Sequence, residues 1–240
     1  MKHLIFMVSA LIVVGTFASC EKASVLTEQD KKHKVTFVVG TSDLSIVQTR
    51  ASLTEANITE LLVIDRMGET QKQIVRQTNA DADFGSPTLS LDYGTHTLTF
   101  VPHRSEAGMF DRDAFTWTAS RVRDTFIMTE SITIDTNSSS THSVSIPRTV
   151  WQLKFVVNDA LPVDLTKVRV VMQTYYGKVN LTSLDGIDTQ TLTRDFDIPS
   201  SVLGTTGNYF SVFGFCPKID EEYTSDVSIS FMRRDGSIIQ

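Results

Sequence analysis

Residues 95–101 read Thr95-His96-Thr97-Leu98-Thr99-Phe100-Val101. Side chains alternate along an extended chain with a period of two, so His96, Leu98 and Phe100 share one face and the three threonines share the other. β-Branched threonine suits a pleated, half-buried surface, and the stretch reads as a strand with one face in a core. The same period recurs in both directions along the chain. From Lys34 onward Val35, Phe37 and Val39 alternate with Thr36 and Val38, and further strands are expected at 58–66, 72–77, 88–93, 126–135 and 142–146. Glycines close the runs Asp65-Arg66-Met67-Gly68 and Asp92-Tyr93-Gly94, which predicts antiparallel hairpins at both places.

The second half repeats this style. Trp151, Leu153, Phe155 and Val157 alternate with Gln152, Lys154 and Val156, and Val168, Val170 and Met172 alternate with Arg169, Val171 and Gln173. More strands are expected at 178–182, 191–197, 209–215 and 227–232. Strands spaced at this interval, with no convincing helical period longer than two turns, predict packed antiparallel sheets. The polar patch Asn137-Ser138-Ser139-Ser140-Thr141 and Pro147 mark a boundary. The expected fold is all-β, with two tandem antiparallel β-sandwiches over 34–147 and 148–240. The final residues, Arg233-Arg234-Asp235-Gly236-Ser237-Ile238-Ile239-Gln240, read as a hairpin turn entering one more strand. The expectation there is either that the sequence is a fragment or that this sheet is left one strand short, with an unpaired edge that invites pairing with another chain.

The amino terminus is of a different kind. Lys2-His3 precedes an uncharged apolar run from Leu4 to Val14, too short to span a bilayer, which takes about 20 apolar residues. This is the pattern of a signal peptide, and 1–19 is expected to be removed. Phe17-Ala18-Ser19-Cys20 resembles the lipobox of bacterial lipoproteins, which implies diacylation of Cys20 and a membrane-held mature protein. The polar, aperiodic segment 20–33 is then a lipidated tether.

Catalytic and metal chemistry find no complete residue set. The net charge of −6 and the lack of a Lys/Arg cluster speak against nucleic acid as a partner. Once Cys20 is assigned to lipid, Cys216 has no disulfide partner, and its apolar neighbourhood makes it a small hydrophobe. Asn79-Ala80-Asp81-Ala82-Asp83-Phe84-Gly85 starts like a calcium loop, but its glycine comes one residue late and the twelfth position is Ser90. His96 and His103 lie seven apart and so on opposite faces, which argues against a shared metal. No G-x-S-x-G, H-E-x-x-H or phosphate-binding glycine loop occurs. The chain is therefore expected to be no enzyme and to need no cofactor or metal. The aromatic residues are the remaining candidates for a binding face: Trp117, Tyr175 and Tyr176 could stack sugars, or fill a core.

Together with the lipobox and the first strand, Thr49-Arg50-Ala51 and Ile58-Thr59-Glu60-Leu61-Leu62-Val63-Ile64-Asp65-Arg66-Met67-Gly68 resemble the fimbrillin-like family of Bacteroidales. Leu89-Ser90-Leu91-Asp92-Tyr93-Gly94-Thr95-His96-Thr97-Leu98 is similar to the leucine-x-leucine-x-x-glycine hairpin of that family, and 150–158 and 166–181 look like the opening strands of its C-terminal domain. The resemblance implies two transthyretin-like sandwiches and delivery to the outer membrane and cell surface as a lipoprotein. It also implies pairing with other fimbrial subunits, either by strand exchange or as the pilus anchor. Arg50 occupies the place where an arginine-specific protease cuts such subunits during assembly. The C-terminal strand that polymerising members use is expected to be short or absent here. A glycan-binding surface lipoprotein is the alternative from another class.

Overall fold

The computed structural model describes residues 32–42, 51–104, 108–111, 113–117, 121–218 and 222–239. Strands run β1 (Lys32–Ser42), β2 (Ala51–Ser52), β3 (Glu60–Met67), β4 (Thr70–Thr78), β5 (Thr88–Asp92), β6 (Gly94–His103), β7 (Gly108–Asp111) and β8 (Ala114–Trp117). They continue as β9 (Met128–Ile134), β10 (Thr141–Pro147), β11 (Val150–Val157), β12 (Leu165–Asn180), β13 (Gly186–Asp197), β14 (Asn208–Phe215), β15 (Val227–Arg233) and β16 (Ile238–Ile239). Among the described residues the one helical element is a three-residue 3-10 turn, Ser200–Val202.

Two four-stranded sheets form the first sandwich: β1, β2, β5 and β10 face β3, β4, β6 and β9. Between them Val35, Phe37, Leu89, Leu91, Val144 and Ile146 meet Leu61, Val63, Leu98 and Phe100 in one apolar cluster. These are the alternate residues that the period of two assigns to the inner faces. β3 is different, because all of Leu61–Asp65 is buried. Leu62 and Ile64 point away from the first core into a second one with Phe115, Trp117, Val170, Met172, Val212 and Phe215. A strand covered on both faces needs apolar residues at successive positions, and Leu61-Leu62-Val63-Ile64 meets that need. The β3 sheet is thus a middle layer.

The second set of strands holds a six-stranded sheet, β16-β15-β12-β8-β7 with β13 also on β12, and a two-stranded sheet of β11 and β14. The strands expected separately at 168–173 and 178–182 are one, β12, with an irregularity in its register against β13 between Met172 and Tyr175. A bulge lets a long strand bend without ending. β7 and β8 were not expected. By sequence they belong to the first half, yet β8 pairs with β12 through Thr116–Lys178, Phe115–Val179 and Ala114–Asn180.

One expected hairpin is found and one changes. β3 and β4 pair antiparallel around Gly68, at φ +55°, and Asp65 is itself a buried strand residue. Asp92-Tyr93-Gly94 makes no hairpin: β5 pairs with β1, β6 pairs with β3 and β9, and the turn carries the chain across the core from one sheet to the other. Leu89 and Leu91 can then oppose Leu98 and Phe100 instead of lying beside them. A buried polar network clamps this crossing. His96 Nδ1 lies 2.6 Å from Asp65 Oδ1 and its Nε2 lies 2.8 Å from the Asp92 carbonyl oxygen. Both neighbours offer acceptor oxygens to the ring, which joins the Asp65 carboxyl group on β3 to the main chain of the turn. Gln73 Nε2 donates to Asp65 Oδ2 at 3.1 Å and to the Ser90 carbonyl at 3.3 Å, tying β4 to β5 in the opposite sheet.

Candidate strand-pairing site

β1 lies inside its sheet with neighbours on both edges. Along one edge Thr36–Ser42 run parallel to Thr141–Pro147 of β10. Along the other, Lys32–Thr36 run antiparallel to β5 and Gly40–Thr41 to β2. Between those two partners the Phe37 and Val39 amides donate to the carbonyls of Pro87 and Gly85, each at 2.9 Å. The parallel pair departs from the all-antiparallel expectation, because the partner, β10, enters the sheet about a hundred residues later along the chain and not from an adjoining turn. Val35, Phe37 and Val39 point inward and are buried, with the Phe37 ring 5.4 Å from Phe100 and 5.7 Å from His142. Burying such side chains contributes about 1.5–3 kcal/mol each. One strand therefore supplies a full row of the first core, and its main chain satisfies groups on both neighbouring segments.

The second half offers a different surface. β11 and β14 pair only with each other among the described residues. An apolar groove of about 420 Å³ opens between this two-stranded sheet and β12 and β15, lined by Phe155, Val157, Val168, Phe210, Ile229 and Phe231. Val156 and Tyr209 stand exposed on the outer face of the same sheet, where the Lys154 ammonium sits 4.3 Å above the Tyr209 ring.

The residues singled out from the sequence are not brought together. Cys20 and Arg50 lie outside the described residues. Ala51, which follows Arg50, is half-buried and pairs with Thr41. Trp117 and Tyr175 correct the sugar-stacking expectation, since they are 2 % and 1 % exposed and offer no ring face to a ligand. Trp117 packs edge-on against Phe115 at 4.7 Å and lies 5.7 Å from Phe215. Tyr175 donates its hydroxyl to the Phe213 carbonyl at 2.9 Å, and burial pushes its pKa up. Tyr176 is half-buried, its ring edge-on to Tyr223, which in turn stacks over Trp151, so these aromatics cover one another. Gly214 permits that packing, because a Cβ there would fall 2.3 Å from Trp151.

His96 and His103 do lie on opposite faces: His96 meets Asp65, whereas His103 packs on the Phe115 ring at 5.0 Å. The Asp81 carboxylate of the calcium-like loop accepts from the Thr78 amide and hydroxyl, which is a turn-closing use. Cys216 is half-buried, and burial raises its thiol pKa, the reverse of what an activated nucleophile needs. A second cleft, about 580 Å³, is lined by residues that no motif marked, among them Glu60, Asn79, Arg104, Arg123, Asp124 and Phe213. They come from widely separated segments, and a sequence pattern carries no trace of such a meeting.

No protein-family model matches the sequence, and no curated protein sequence does either. Solved structures do. A candidate adhesin from Bacteroides ovatus superposes with a TM-score of 0.58 at 8 % identity, over 87 % of this chain and 76 % of that one. A candidate polysaccharide-binding protein from Bacteroides thetaiotaomicron gives 0.55 at 7 % identity, over 85 % and 78 %. This chain thus shares the fold of these two proteins. The fimbrial anchor protein Mfa2 from Porphyromonas gingivalis shares it, with a TM-score of 0.51 at 9 % identity over 88 % of this chain and 81 % of that one.

Proposed function

We propose that this chain is a fimbrillin-like structural component of cell-surface fimbriae, a pilus subunit or a membrane anchor, that assembles by pairing β-strands with other subunits. The observation that carries the proposal is β1, an inner strand with partners on both edges and an alternating apolar row facing the core. A strand of that kind can be removed as one piece and replaced by another of the same pattern. Its departure would leave Leu89, Leu91, Phe100, Val144 and Ile146 uncovered and two segments of backbone unpaired, a groove complementary to an incoming strand. Cutting after Arg50 would free β1 together with a lipidated Cys20. An anchor would instead keep both, and would pair through its open edges. In this reading two sandwich domains, 34–147 and 148–240, sit at the outer membrane on the lipid of Cys20. The protein acts through protein–protein contacts, without catalysis, a cofactor or nucleic acid. A glycan-binding surface lipoprotein is the alternative, and it would need a face other than Trp117 and Tyr175, whose rings are buried.

Digestion of the folded full chain with an arginine-specific protease, followed by intact-mass analysis and size-exclusion chromatography, tests this. A dominant product beginning at Ala51 that forms oligomers is expected of a subunit. Resistance at Arg50 with binding to a cleaved fimbrial subunit is expected of an anchor. A chain that stays monomeric before and after digestion, alone and with that subunit, overturns the proposal.

A further inference from the structure

The β3 sheet carries a core on each face. Along β3, Leu61 and Val63 pack into the first core, and Leu62 and Ile64 pack into the second. On the neighbouring β6, Phe100 turns to the first core and Val101 to the second, and the strand register sets Phe100 beside Val63 and Val101 beside Leu62. Phe37 of β1 meets this sheet from the first side, its ring 5.4 Å from Phe100. One residue further along the same backbone, Val101 shares a cluster with Val170, Met172 and Val212 of the second half. The path from β1 to β12 therefore crosses a single layer of main chain.

Polar links run the same way. The Thr99 and Thr129 hydroxyls, on β6 and β9, lie 3.0 Å apart, and Thr129 donates to the Leu181 carbonyl of the second half at 3.2 Å. Arg66 near the end of β3 lies 2.8 Å from the Asp113 carboxylate, and the Asp113 carbonyl accepts from the Leu181 amide at 2.8 Å. β8 interlocks the halves further, since it belongs to the first by sequence and is paired with β12 in the second. Separating the halves would unpair that strand, break these links and expose an apolar cluster to water.

Tandem domains with separate cores move and open independently by default. A shared layer removes that freedom, because a close-packed interior passes a loss of contacts on one face of a sheet to the groups packed on the other. We propose that the β3 sheet is a coupling layer, with β1 as a strap on its first face, so that displacing β1 loosens β12 and β14 across the sheet. Those two strands supply Val168 and Phe210 to the open groove of the second half, so the state of β1 is felt at that groove. The strand exchange proposed above is one event that would displace β1, and the inference rests on that reading for the event alone. The coupling is a property of the intact chain.

The test is amide hydrogen exchange followed by NMR on the ¹⁵N-labelled full chain, which reads the free energy of opening at each strand. Val39, whose amide donates to the Gly85 carbonyl, and Leu98, on a strand paired along both edges, report the first sandwich. Val170 and Met172, also on a strand paired along both edges, report the second half. Phe37→Ala should lower protection on the order of a hundredfold or more, by the same factor at all four positions. Val35→Ala, a milder change on the same buried face of β1, should lower it about tenfold at all four and serves if Phe37→Ala does not fold. Coupling is reciprocal, so Val212→Ala in the second core should lower protection about tenfold at Val39 and Leu98 as well. Loss confined to Val39 and Leu98 in the β1 variants, loss confined to Val170 and Met172 in Val212→Ala, or no loss at any of the four would overturn the coupling. None of those outcomes bears on cleavage after Arg50 or on oligomer formation, so the proposed function stands or falls separately.

Discussion

β1 and β11 are both alternating strands of similar apolar content, and they end in opposite situations. β1 has partners along both edges, and Val35, Phe37 and Val39 are at most 5 % exposed. β11 has one strand partner among the described residues, β14, and its inward residues Phe155 and Val157 remain half-buried above an open groove. Near that groove the core shrinks to a cluster of three fully buried residues, Leu161, Leu165 and Val168. The first half has thus closed its sandwich over β1, whereas among the described residues β11 and β14 have no strand partner on their outer edges. Unpaired edges are sites of pairing with other chains, and exchange of a buried strand first requires that strand to leave. On the function proposed above, the two halves would pair with other chains on different terms.

The largest expected effect that separates the halves is at Phe37. Phe37→Ala, at 0 % exposure, should destabilise the protein by about 3–5 kcal/mol in urea unfolding, as for other large-to-small changes in a closed core. Phe210→Ala lines the open groove and should cost about 1–2 kcal/mol, because its ring is already half in water. Equal losses at the two positions would erase the distinction between closed and open sandwiches.

The next effect sharpens the account of how the first sandwich is closed. Asp65→Ala leaves the His96 ring without its hydrogen-bond partner in a fully buried site and should cost about 1–3 kcal/mol, the penalty for a buried polar group left unsatisfied. A loss under 1 kcal/mol in the same urea experiment would mean that the clamp between β3, β6 and the Asp92 turn is not structural.

The smallest effect belongs to the second half. Asp195 accepts hydrogen bonds from Arg169 at 2.7 and 2.9 Å and from Lys167 at 3.1 Å. The Arg169 hydrogen bond is the main reason its pKa is lowered to about 2, against 3.8 ordinarily. The folded value lies below the unfolded one, so the contribution is present above about pH 4 and disappears as the pH falls toward 2. Asp195 is half-buried and its Arg169 partner is partly exposed, so solvent screening limits the gain to about 0.2–1 kcal/mol. Urea midpoints measured between pH 4 and pH 2 should therefore fall less steeply in Arg169→Gln than in the natural chain. Parallel slopes would remove this pair from the account of acid stability.

The strands with a long alternating pattern, such as β1, β6, β10 and β11, were readable from the residues themselves, because one face of each is buried and the period of two records it. The four-residue β8 was not, since Phe115 and Trp117 are too few to show a period and are buried by residues far away in the chain, from Leu62 and Ile64 of β3 to Phe215 of β14. Trp117 and Tyr175 show the same limit from the side of function: an aromatic residue in a strand has the same letter whether it faces a sugar or a core. The Asp92-Tyr93-Gly94 turn was visible as a turn, but whether it joined neighbours in one sheet or crossed between two depended on which strands β5 and β6 found as partners. The amino acids alone determined the β character and the places where the chain turns, because these follow from local periodicity and residue chemistry. Tertiary structure decided the middle position of the β3 sheet, the enclosure of β1 and the gathering of Asn79, Arg104, Arg123 and Asp124 around one cleft. Those arise from contacts between segments far apart in the chain, and the free energy that selects them is in burial and pairing that no single segment contains.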